Sequence, residues 1–151
     1  MQQDFKDLLS AFSARGVEYL VVGAHALAAH GYVRATKDFD VWVRPAPDNA
    51  RRTFQALGDF GAPLDELREA DLATPGLIFQ IGVPPIRIDI ITSIEGVEFA
   101  DAWRDRVHAK FGGVPAAVLS VTHLIANKTA AGRDQDLVDV RRLKELQRDV
   151  K

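Results

Sequence analysis

The 151-residue chain has no cysteine and only one methionine, so it can build neither a disulfide framework, a thiolate zinc site nor a cysteine nucleophile. Absence of cysteine fits a reducing compartment, and the expected location is cytoplasmic. Aromatic residues are scarce at 8%. Neither sign of charge dominates, since 19 Lys and Arg face 21 Asp and Glu for a net charge of -2, which argues against a chain built to bind polyanions over its whole surface. No apolar run approaches the ~20 residues of a membrane helix. The N-terminus, MQQDFKDLLS, has no basic segment followed by an apolar one, so no signal peptide is expected. What is present is the ordinary globular mixture, 47% hydrophobic and 26% charged, in a length that suits one domain with a core of its own.

Phe5, Leu8, Leu9 and Phe12 recur at helical spacing between residues 4 and 15, and Gly16 is a natural stop. Residues 17–22, VEYLVV, read as a buried strand ended by Gly23, and residues 24–30 as a short helix closed by Gly31. TKDFDVWV, residues 36–43, alternates as a half-buried strand does. Asp48 is expected to cap a helix through Arg52, Phe54 and Leu57 that stops near Gly58 or Gly61, and a second short helix is expected over Leu64 to Leu72. Residues 77–82 and 86–92 read as a hairpin across Val83-Pro84-Pro85, 99–106 as helical and 114–119 as a strand. Ser120 opens one helix, and another begins near Asp134. The pattern predicts an α/β (α+β) fold, a small mixed sheet flanked by helices with the two C-terminal helices packed together. It forms a single domain, 1–151, with a core about 17–119 and a helical part about 120–151.

Asp38 and Asp40 alternate with Phe39 on one strand, so both carboxylates leave the same face, their Cα atoms roughly 6.6 Å apart. Such a pair repels itself unless a cation or proton lies between. In IRIDII, residues 86–91, Asp89 stands opposite the face of Ile86, Ile88 and Ile90. Three acids from two strands suit hard divalent cations, and two such ions about 3.5–4 Å apart activate an attacking oxygen and steady a leaving one. Gly23 lies between a buried strand and a helix, where free N–H groups and the helix dipole favour an anion.

VVGAHALAAHGYVRATKDFDVWV resembles the signature of the DNA polymerase β-like nucleotidyltransferase superfamily, IRIDII looks like its third-carboxylate strand, and LIANKTAAGRDQDLVDVRRL is similar to the C-terminal helices of the minimal, abortive-infection (AbiEii-type) toxin nucleotidyltransferases. The resemblance implies metal-dependent transfer of a nucleoside monophosphate from an NTP to an acceptor hydroxyl on tRNA, a small molecule or a protein, in a component of a toxin–antitoxin pair. It implies Asp38, Asp40 and Asp89 as catalytic metal ligands for Mg²⁺ or Mn²⁺. Gly23, Ala24, Arg34, Thr36 and Lys128 would contact the nucleotide. Ala24 replaces the second Gly or Ser of the family pattern and removes a hydroxyl contact. The alternative is a catalytically weak or inactive nucleotide-binding or regulatory protein of the same fold. A carboxylate nuclease would need the same acids but has no use for Gly23. A partner protein or homo-oligomer is expected to complete the acceptor site, and no membrane is involved.

Other residues are read as structural. His25 and His30 are five apart and cannot share a helical face as metal ligands; His108 and His123 lack partners at ligand spacing, so no zinc site is expected. No G-x-S-x-G elbow is present. Asp136 and Asp139 are expected to form surface pairs with Arg133 or Arg142. Arg141, Lys144, Arg148 and Lys151 form a basic stripe, read as a solvated face that could also touch RNA, beside an apolar one at Leu137, Val140, Leu143 and Leu146.

Overall fold

A computed structural model describes residues 1–36, 38–83 and 86–149. The N-terminal periodicity becomes α1 (Gln3–Ala14), whose Phe5, Leu8, Leu9 and Phe12 are all buried. Removing each from water stabilises the fold by roughly 1.5–3 kcal/mol before entropy is counted. Next come β1 (Tyr19–Val22), α2 (Gly23–Ala29) and β2 (Asp38–Val43). α3 (Pro47–Phe60) ends at Gly61 in the left-handed conformation, φ 93°. The hairpin β3 (Ile78–Val83) and β4 (Ile86–Ile91) is followed by α4 (Phe99–Arg104), β5 (Val107–Phe111), β6 (Val114–Val118), α5 (Val121–Ala131) and α6 (Asp134–Asp149). Lys37, Pro84, Pro85 and Lys151, named in the sequence readings, lie outside the described residues.

The strands form one mixed six-stranded sheet in the order β3-β4-β2-β1-β6-β5. β2 lies parallel to β4 and antiparallel to β1, and β1 runs parallel to β6. Phe39, Val41 and Val43 leave one face of β2 for the core, where Phe5 of α1 stacks on Phe39 at 4.8 Å. The opposite face carries Asp38, Asp40 and Trp42, and Phe99 of α4 packs edge-on against Trp42 at 4.9 Å. The acids therefore share a face with an apolar patch that α4 covers. Among the described residues no helix is long and apolar enough to cross a membrane.

Three expectations change. Asp48 is not the cap of α3: Ala46 holds that place, Pro47 takes the first helical position and Asp48 falls in the first turn. Proline needs no N–H partner there, so it sets the start two residues earlier. Residues 64–72 form no α-helix but one tight 3-10 turn, Glu69–Ala73, begun where the Asp71 carboxylate accepts from the Arg68 N–H at 2.9 Å. Leu67 and Leu72 are nevertheless buried, so their spacing reports burial rather than helix. β5 was not expected. Its short apolar–polar alternation, VHAKF, mostly exposed, belongs to an edge strand paired with β6 across Gly112-Gly113.

Candidate active site

The register of β2 against β4 pairs Asp38 with Arg87 and Asp40 with Asp89. Residues two apart on a strand share a face, so these four side chains form a square of three carboxylates and one guanidinium. On its outer side Gln80 of β3 lies across from Asp89, and Gly82 across from Arg87. Arg87 Nη2 donates to Asp38 Oδ2 at 2.9 Å, and its Nε stands 3.5 Å from Asp89 Oδ1. The Asp89 side chain is only 14% exposed, and its Oδ1 is buried without a hydrogen-bond donor among the described residues.

Asp40 carries the electrostatic cost. Burial, then the charge of Asp89, a hydrogen bond with it and the charge of Asp38 push its carboxyl up to about 7, against the pull of Arg87. Two acids facing each other across adjacent strands hold a proton between them when nothing else neutralises them. The group is set in place by Gly23, whose φ of +68° favours glycine and where a Cβ would lie 2.4 Å from Asp40 Oδ2. The absent side chain thus makes room for the acid itself. Ala24 follows in the first turn of α2, half-buried.

Among the described residues no three His, Cys, Asp or Glu side chains converge as a ready metal cage. The donor set nonetheless fits Mg²⁺, which takes one or two carboxylates and completes its shell with water and substrate phosphates. The donorless Oδ1 of Asp89 and the unshared charge at Asp40 are what such an ion would satisfy.

A second charged cluster lies where α5 and α6 meet the segment before β2. Lys128 Nζ reaches Asp136 Oδ1 at 3.3 Å and Asp139 Oδ2 at 3.1 Å. Arg34 Nη1 contacts both oxygens of Asp139, at 2.7 and 3.0 Å. Arg133 Nε donates to Asp136 at 2.7 Å, and its backbone N–H donates to the same carboxylate, closing the start of α6. Asp136 and Asp139 are 1% and 0% exposed, so they are not the surface pairs expected of them. The Arg133 hydrogen bond above all, with Lys128, holds Asp136 below the usual carboxylate range. Burial works to raise Asp139, but hydrogen bonds from Gln135 and Lys128 and the charges of Lys128 and Arg34 outweigh it. The inner face of α6 is Asp136, Asp139 and Leu143, whereas Leu137 is 46% exposed. Acids at i and i+3 in register with a leucine four further on were the sequence signal for this face.

Thr36 Oγ1 exchanges hydrogen bonds with the backbone of Asp38, at 3.2 and 3.3 Å, and so braces the entry to β2. His25 packs among Phe5, Phe39 and Phe111, and burial lowers its pKa. His30 meets the Leu119 carbonyl at 2.8 Å, and the Ser120 side chain caps α5 by accepting from the His123 N–H. Arg141, Lys144 and Arg148 are exposed on α6. A cleft of about 590 Å³ opens between β3, the loop after β4 and the α5–α6 pair, lined by Leu77, Ile78, Ile94, Glu95, Lys128 and Arg133 among others. Ile78 pairs with Ile91 two residues along the strands from Gln80 and Asp89, so the cleft opens toward the end of β4 that follows Asp89, with Asp38, Asp40 and Asp89 outside its lining.

No curated protein matches the chain. Solved structures share its fold, two nucleotidyltransferases among them. One is a “putative nucleotidyltransferase (TM1012)” from Thermotoga maritima, 14% identical, with a TM-score of 0.60 over 97% of this chain and 89% of that one. The other is the lincosamide antibiotic adenylyltransferase LnuA with lincomycin bound, 13% identical, with a TM-score of 0.60 over 97% of this chain and 98% of that one. The mixed sheet flanked by helices is thus a nucleotidyltransferase fold. The family described as a nucleotidyltransferase of unknown function (DUF6036) matches residues 2–148, and the chain belongs to that family.

Proposed function

We propose that the protein moves a nucleoside monophosphate from a nucleoside triphosphate to an acceptor hydroxyl, using Mg²⁺ or Mn²⁺ held by Asp38, Asp40 and Asp89. The observation that carries this is the facing pair Asp40 and Asp89, with Asp40 pushed up to about 7 and a buried Asp89 oxygen left without a donor. When bound, the divalent cation neutralises triphosphate charge and makes the acceptor hydroxyl easier to ionise. Asp40 gives up its proton as the charge around it is balanced. Asp89 accepts the acceptor's proton on the carboxylate oxygen that the cation leaves free. The new bond joins the acceptor oxygen to the α-phosphorus, the α–β anhydride bond breaks, and pyrophosphate leaves with the electron pair.

The two substrates approach from opposite sides. The triphosphate lies by the β1–α2 corner, beside the backbone of Gly23 and Ala24 on the Asp40 side. The acceptor enters from the cleft, which opens toward the end of β4 that follows Asp89 and whose volume falls within the range of small-molecule sites. This favours a small hydroxyl compound or the end of a tRNA over a broad protein surface. Thr36 supports Asp38. Arg34 and Lys128 reach phosphate only by exchanging their Asp139 partner. The likeness of the C-terminal helices to abortive-infection toxins suggests a toxin–antitoxin setting with a partner protein. A second reading, a nucleotide-binding regulator without turnover, draws on Arg87, which already offsets part of the acidic charge.

Incubation with labelled NTPs, Mg²⁺ and a panel of acceptors tests the first reading. Asp89→Asn is expected to lower transfer at least ~100-fold, the scale of a lost general base, while melting at an unchanged or higher temperature. Undiminished transfer overturns the assignment, and tight NTP binding without transfer in the unaltered protein selects the regulator.

A further inference from the structure

Arg87 is the member of the square that the proposed reaction leaves without a task. It is well bonded to Asp38, at 2.9 Å. Toward Asp89 its Nε stops at 3.5 Å, too far for a good hydrogen bond, and both that Nε and the facing Oδ1 are buried with no other partner among the described residues. On its outer flank the cross-strand neighbour is Gly82, which has no side chain to wall the guanidinium in. A fork satisfied at one carboxylate, unsatisfied at the next and open on one side is held by charge rather than by shape.

We infer that Arg87 is an internal counter-ion: in the ligand-free protein its guanidinium occupies the place between Asp38 and Asp89 that the divalent cation takes, so the cation enters only as Arg87 leaves. This rests on the reading of the acids as cation ligands given above. The physical case is one of balance. Arg87 is the cationic side chain that the register sets among the three carboxylates of the square. Without it the ligand-free site would lose that compensation on a half-buried surface, which is costly. With Arg87 in place a lone cation must displace it, at a cost in affinity. A triphosphate arriving with the cation changes this balance, because a guanidinium pairs bidentately with phosphate as readily as with carboxylate. Cation and nucleotide therefore bind with positive coupling, each favouring the other through the departure of Arg87.

The test uses the whole protein as Arg87→Gln and Arg87→Lys. Mn²⁺ binding is followed by electron paramagnetic resonance of the free ion, with and without a non-hydrolysable NTP, alongside the melting temperature without metal. Arg87→Gln is expected to tighten nucleotide-free Mn²⁺ binding at least ~10-fold, about 1.4 kcal/mol. It should also lower the metal-free melting temperature and let Mn²⁺ restore it. Arg87→Lys keeps the charge but loses the fork, and is expected to move both readouts the same way by a smaller factor. Mn²⁺ affinity in Arg87→Gln equal to or weaker than in the unaltered protein overturns the inference. If the unaltered protein binds Mn²⁺ with the nucleotide and Arg87→Gln does not differ, the inference fails alone. If no variant takes up Mn²⁺ even with the nucleotide, the proposed function fails and takes the inference with it.

Discussion

At the scale of single residues the position most tightly specified is Gly23. Any side chain there meets two obstacles, a left-handed backbone and an oxygen of Asp40 at 2.4 Å from the new Cβ. Left-handed geometry alone costs an alanine roughly 1–2 kcal/mol, and overpacking typically adds about 1–3 kcal/mol. Gly23→Ala is therefore expected to lower stability by about 2–5 kcal/mol, and to lose nucleotidyl transfer because Asp40 must move. Chemical denaturation alongside the transfer assay checks both. The sequence indicated that this glycine mattered, through its place between a buried strand and a helix, but it pointed to a phosphate. The nearer reason, a carboxylate filling the missing Cβ, needed the antiparallel register that sets Val22 opposite Asp40, and register between distant strands is not written in local spacing.

At the scale of elements the acid strands were legible because alternation fixes which side chains share a face, and Asp38, Asp40 and Asp89 follow it without exception. The α5–α6 pair was less so. Its Ser120 cap was readable, but Leu137, Val140, Leu143 and Leu146 read as an apolar stripe, whereas the buried side of α6 is largely ionic. Charged residues are read from sequence as solvated, and only the partners, Lys128 from α5 and Arg34 from 105 residues upstream of Asp139, reveal otherwise. Removing one partner from a buried ionic cluster typically costs 3–5 kcal/mol. Lys128→Ala is expected to cost about 3 kcal/mol, since Arg34 and Arg133 remain to hold the acids. Equilibrium unfolding in urea, with the slope compared to confirm the same transition, measures it.

For the whole molecule the two clusters pull stability in opposite directions with pH. Asp40 has its folded pKa raised to about 7, so its contribution is complete below the unfolded carboxylate value of about 4 and is lost as pH rises through 7. Asp136 and Asp139 are held low, so their contribution is complete above about 4 and is lost as pH falls below it. The metal-free protein is expected to melt highest in mildly acidic buffer and to lose stability toward pH 8, a loss that Asp40→Asn removes. Thermal scans from pH 3 to 8 in the presence of a chelator follow both limbs. The pairing of Asp40 with Asp89 has a consequence for how this chain can vary in length. The two acids are aligned by main-chain hydrogen bonds alone, so one residue inserted between Ile88 and Asp89 rotates the acid into the space of Ile90 and abolishes transfer. Transfer rates of that insertion set against the unaltered protein check it.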